Sequence, residues 1–122
     1  MRPDVKDAAY LHDMLVASND AIEFAAGLSF DQYMQSKLVR SAVERQVEIV
    51  GEAARKVSRA FRDAHPQVPW VNFQGTRHRL AHDYGDVDHA VVWRIVRVHL
   101  PALVPQLQAL LPDPPPEDGG DA

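Results

Sequence analysis

Apolar residues recur along this chain at helical spacing, and period-2 alternation, the rhythm of a half-buried strand, is scarce. The first run, about residues 4–26, has Ala8, Leu11, Leu15, Ile22, Ala25 and Ala26 near helical intervals and stops at Gly27, with Ser29 able to cap the next helix. The second run is the strongest. Val39, Val43, Val47, Val50, Ala54, Val57 and Phe61 succeed one another at intervals of 4, 4, 3, 4, 3 and 4, which predicts one apolar stripe along a single long helix. Arg40, Glu44, Glu48, Arg55 and Arg59 fall on its other faces. So long a helix in so short a chain must pack antiparallel to another long one. Its stripe reads as core, with a dimer interface as the other use.

His65-Pro66-Gln67-Val68-Pro69 ends that region, because the residue before each proline is pushed out of helical backbone. Trp70 to about Tyr84 predicts a third, shorter helix, uneven at Gly75 and stopped by Gly85. Asp86 and Asp88 stand where an N-cap and a first-turn acid belong for a last helix over about Val87 to Leu111. Pro101 and Pro105 fall inside that helix and predict a kink or a split. Trp70, Phe73 and Trp93 read as core. The chain shows no internal repeat. The expected fold class is all-α, an up-and-down bundle of four to five helices.

At 122 residues, with 46% hydrophobic and 25% charged side chains, the chain has the size and composition of one soluble domain. It contains no cysteine, so disulfides, thiolate nucleophiles and Cys-based metal sites are excluded. No apolar run reaches the ~20 residues of a membrane span, and Met1-Arg2-Pro3-Asp4 does not read as a signal peptide. No membrane association and a cytoplasmic location are the expectation. The net charge of −4 resides in the last eleven residues, where Asp113, Glu117, Asp118 and Asp121 meet no base. What remains carries 13 acidic and 13 basic side chains and is neutral, unlike a protein that grips nucleic acid over a broad surface. One helical domain over 1–111, followed by a solvated acidic, Pro-rich tail over 112–122, is the expected organisation.

Groups able to move protons or hold phosphate converge in one window. Arg77-His78-Arg79-Leu80-Ala81-His82-Asp83-Tyr84, followed by Asp86, Asp88 and His89, holds three of the six histidines. A glycine-rich phosphate loop, a Gly-x-Ser-x-Gly elbow and a His-Glu-x-x-His pair are all missing. Several readings of the window stay open on residue type alone. It could be a solvated helix end interacting with the dipole. His78 and His82, one turn apart, could bind a metal with Asp83, Asp86 or His89. Tyr84 could simply pack at a bundle end. His12, His65 and His99 are scattered and are assigned nothing.

The order Arg77-x4-His82-x-Tyr84 resembles the Arg-x4-His-x-Tyr signature of the HepT-like branch of the HEPN superfamily. Gly51-Glu52-Ala53-Ala54, Val68-Pro69-Trp70, Val87-Asp88, Trp93 and Leu100-Pro101 fit the same pattern, so the resemblance covers about residues 4–111. His78 stands where that family usually has Asn, and Gly75-Thr76 replaces the commoner Gly-Met. The resemblance implies a small homodimeric helical bundle that cleaves RNA without a metal or other cofactor. It further implies the toxin of a two-gene module, silenced by a minimal nucleotidyltransferase antitoxin that can add AMP to the motif tyrosine, here Tyr84. A non-catalytic scaffold that only partners a nucleotidyltransferase is the other reading. The aspartate pair Asp86-x-Asp88 lacks the Gly-Ser that precedes the carboxylates of a nucleotidyltransferase.

The residue types suit that chemistry in their own right. RNA can be cut without metal when its 2′-OH attacks the neighbouring phosphorus. That route needs a proton carrier, a role histidine fills near neutral pH, and a fixed cation for the charge growing on the phosphate. His82 and Arg77 are those types, with His78 and Arg79 as accessories. Positions five apart on a regular helix lie about 140° apart in azimuth, so Arg77 and His82 share a face only if Arg77 reaches round, the segment is irregular near Gly75, or a second subunit completes the site; the dimer that the resemblance implies supplies the last of these. A tRNA and an mRNA are equally open as substrate.

Overall fold

The computed structural model describes residues 1–74 and 87–112, and among them every regular element is helical. Six α-helices have both ends described: α1 (Val5–Ala25), α2 (Phe30–Gln35), α3 (Lys37–Lys56), α4 (Arg59–Ala64), α6 (His89–Arg94) and α7 (Leu100–Leu110). Residues 70–74 are also helical and are called α5. A π turn over Ile95–His99 joins α6 to α7, so helical backbone runs unbroken from His89 to Leu110.

Caps account for most boundaries. Asp4 starts α1 by accepting a hydrogen bond from the Asp7 amide at 2.7 Å, and Gly27 turns the chain beyond its end with a φ of 78°. Ser29 and Gln32 form a reciprocal capping box at α2, as Ser29 was expected to allow. Ser36 caps α3 through the Val39 amide at 3.1 Å.

The start of α1 is tied to the end of α3 through Asp7 and Ser58, so these two helices run antiparallel. Their contact is the widest in the bundle, and α7 packs on another side of α1. The α1 face is rotated slightly from the expected one. Met14 and Ala21 are fully buried, whereas Leu15 and Ile22 pack at the margin. Small Ala17, Ser18 and Ala21 at that face let the helices approach closely.

The valine stripe is core as predicted, with Val43, Val47, Val50, Ala54, Val57 and Phe61 all buried and Val39 partly so. One long helix through Phe61 is, however, not what forms. Helix α3 ends at Lys56, Val57 and Ser58 are extended, and Ser58 caps α4 through the Phe61 amide at 3.2 Å. The cause is remote in sequence. Asp7 accepts from the Ser58 amide and hydroxyl, which takes Ser58 out of helical pairing. Arg62 Nε donates to the Val57 carbonyl at 3.0 Å and helps satisfy the broken end.

Neither proline splits the last helix. Pro101 has no N–H, and its ring would crowd the carbonyl one turn earlier in a regular α-helix. The backbone widens into the π turn just before it, where the Leu100 amide donates to Ile95 O across five residues. Leu100, Leu103 and Leu107 on this helix are buried to 1% exposure or less. Of the expected tail over 112–122, residues 113–122 lie outside the described residues.

Candidate functional site

Arg77, His78, Arg79, His82 and Tyr84 all lie in 75–86, outside the described residues. The chain on either side of them is firmly placed. On the entering side, Trp70 Nε1 donates to His65 O at 2.9 Å and the indole meets Phe61 edge-on at 6.4 Å. Trp70 and Phe73 are 5% and 4% exposed, so the expectation that both are core holds. On the leaving side, Asp88 caps α6 through the Ala90 and Val91 amides at 3.1 and 3.2 Å. Next to it, His89 Nδ1 lies 3.3 Å from Glu44 Oε2 of α3, a close approach without hydrogen-bond alignment.

Between these two fastened stretches, Pro69, Asn72 and Phe73 face Val91, Arg94, Ile95 and His99 across a cleft of about 370 Å³. Arg94 and His99 are five residues apart and line the same wall. On a regular α-helix they would point about 140° apart. The π turn, in which the Leu100 amide reaches back five residues to Ile95 O, widens that stretch, and both side chains line the cleft. Sequence reasoning missed this pair because nothing in residue order announces a π turn, except the proline just after it.

The other side of α6 meets an aromatic cluster. Trp93 is half-buried, with its ring 4.9 Å from Tyr33 and 5.9 Å from Phe30, and Arg97 lies over it at 5.0 Å. Tyr33 is fully buried, and its hydroxyl has no hydrogen-bond partner among the described residues. Burial first, and then the Glu44 carboxylate, push its pKa up to about 12 against the opposing pull of Arg40. Among the described residues, no group of three or more His, Cys, Asp or Glu side chains is placed to hold a metal ion. No helix of the described residues is long and apolar enough to cross a membrane.

The family model described as "Ribonuclease HepT-like" matches residues 14–110. The chain belongs to the HepT-like ribonuclease family. The matched stretch contains the whole Arg77–Tyr84 window as well as both walls of the cleft. A Methanocaldococcus jannaschii protein named "Putative RNase MJ1380" is 37% identical over 105 residues, covering 86% of this chain and 94% of that protein. A Thermococcus cleftensis protein named "Probable ribonuclease HepT" is 33% identical over 101 residues, covering 83% of this chain and 92% of that protein. No solved structure matches the chain.

Proposed function

We propose that this HepT-like chain is a metal-independent endoribonuclease and the toxin of a toxin–antitoxin module. One observation carries the reading: the family match spans 14–110, and the full order Arg77-x4-His82-x-Tyr84 stands inside it. His82 moves the proton of the attacking 2′-OH, and Arg77 holds the charge that develops on the phosphate. His78 and Arg79 assist by contacting phosphate, and Tyr84 is the residue on the substrate side that an antitoxin can modify. Two copies of the chain complete the site. Arg77 and Arg79 from each copy then gather four positive charges in one groove of an otherwise neutral body. The cognate antitoxin is a minimal nucleotidyltransferase, and the substrate is a tRNA or an mRNA.

Expression of the native chain in cells, beside Arg77→Ala and His82→Ala variants shown to be folded, tests this reading. Growth arrest by the native chain alone, and RNA cleavage that persists in EDTA, is the expected result. Equal harmlessness of all three identifies a scaffold, and activity lost in EDTA but restored by a divalent ion identifies a metal enzyme. Light scattering should give twice the chain mass; a monomer at micromolar concentration overturns the shared site.

A further inference from the structure

The cleft between residues 69–73 and the π turn gathers polar side chains that the motif does not use. Arg94, His99 and Asn72 converge there from two separate stretches of chain. All three residues are exposed, and neither Arg94 nor His99 forms a salt bridge among the described residues. Below them the floor is apolar, made by Phe73 and Ile95, both buried, with Val91 partly so. A volume of about 370 Å³ lies at the small end of the ~300–1,000 Å³ range of ligand sites. It suits one nucleotide unit better than a folded protein surface.

We propose that this cleft is a nucleotide subsite for single-stranded RNA, which rests on the ribonuclease reading above. Arg94 supplies a planar fork of donors for a backbone phosphate. Asn72 offers both a donor and an acceptor, and His99 a ring nitrogen, for the edge of an unpaired base. The apolar floor takes the base's hydrophobic surface. The π turn is the device that makes this possible, since it sets Arg94 and His99 on one wall. Only four residues of chain, 73–76, separate Asn72 from Arg77, so the subsite stands close in sequence to the stretch that carries the cleavage motif. Its consequence is selectivity, because a base edge read by an amide and an imidazole favours some nucleotides over others at one position.

The test uses the full chain and a fluorescein-labelled single-stranded RNA with every 2′-OH methylated, so that it binds but cannot be cut by 2′-OH attack. Anisotropy titrations compare the native chain with Arg94→Ala, His99→Ala and Asn72→Ala. Arg59→Ala, an exposed arginine away from the cleft, is the control for general charge. Arg94→Ala should weaken binding by about tenfold or more, the loss of one charge-assisted contact. It should also reduce the slope of log affinity against log salt by about 0.7, one phosphate contact on a single strand. His99→Ala and Asn72→Ala should weaken binding and leave that slope unchanged, and Arg59→Ala should change neither. Cleft variants that bind like the native chain overturn the subsite, as does a native chain that binds no such RNA. A parallel assay with unmethylated RNA judges the ribonuclease reading separately. Cleavage that depends on His82 but ignores Arg94 defeats the subsite alone. Arg94-dependent binding with no cleavage by the native chain defeats the ribonuclease reading alone.

Discussion

The carboxylate of Asp7, in the first turn of α1, accepts from both the amide and the hydroxyl of Ser58, at 2.8 and 2.6 Å, across 51 positions of sequence. Asp7 is only 4% exposed. The Ser58 hydroxyl also accepts from the Phe61 amide, so one side chain closes α3, opens α4 and fastens both to α1. Removing Asp7 strands two partly buried donors, the amide and hydroxyl of Ser58. We expect Asp7→Ala to cost about 2–4 kcal/mol and Ser58→Ala about 1–2 kcal/mol, the usual range for a lost cap. The double variant should cost less than the sum, because the two residues share their hydrogen bonds. Urea unfolding of the three variants checks this, and simple additivity would show that the bonds are not coupled.

Tyr33 presents the opposite case, a buried polar group without a partner among the described residues. Its hydroxyl has no hydrogen-bond partner among the described residues, and burial with the Glu44 charge raises its pKa from 10.0 to about 12. The folded chain therefore holds this proton to higher pH than the unfolded chain does. That contribution to stability is complete below pH 10 and is lost as pH rises toward 12. Tyrosinate absorbance should show one component titrating near pH 12 in the folded protein, absent in Tyr33→Phe and shifted to near 10 on unfolding. Tyr33→Phe should match the native stability at neutral pH within about 1 kcal/mol, since no hydrogen bond is lost.

What was legible in the sequence was whatever depends on periodicity or on the order of residue types. The valine stripe, the Gly27 stop, the Ser29 cap and the buried Trp70 and Phe73 all belong to that class. Asp88, expected as a first-turn acid of a helix from about Val87, instead caps α6, which begins two residues later at His89. The order Arg77-x4-His82-x-Tyr84 is legible in the same way, because a signature needs no coordinates, and its role in cleavage stands as proposed above. The break at Val57 and Ser58 was not legible. Valine and serine there fit a continuing helix, and only Asp7, distant in sequence, changes their preference. The same holds for Arg94 and His99. Their shared wall depends on a π turn whose only local sign is Pro101, and prolines in a helix more often mark a kink.

Cleavage through the neighbouring 2′-OH has a chemical fingerprint that separates it from attack by water. The 5′ fragment should end in a 2′,3′-cyclic phosphate, and a 2′-deoxy substitution at the cut site should abolish cleavage there. His82→Ala should lower the rate by about 10²–10⁴-fold, the usual share of general acid–base catalysis. Arg77→Lys keeps the charge but loses the planar fork, so it should retain partial activity. Mass spectrometry of the fragments decides the mechanism. A free 3′-hydroxyl at the cut end would point to attack by a water molecule instead.

Tyr84 stands two residues after His82 and directly before Gly85 in the motif. Attaching AMP to its phenol oxygen, with pyrophosphate leaving from ATP, would add a negatively charged phosphodiester close in sequence to Arg77 and Arg79. Those arginines would then pair with an internal phosphate in place of the phosphate of RNA, and the bulky adenosine would obstruct the groove. If two copies complete the site, as proposed, one modified tyrosine would silence both. Co-expression with a genomically adjacent nucleotidyltransferase should therefore raise the chain mass by whole AMP units of about 329 Da each, the mass of that added group. The added mass should map to Tyr84 and disappear in Tyr84→Phe, which should also escape silencing if it remains toxic. A toxin neutralised with no change of mass would establish inhibition by binding alone and exclude the covalent switch.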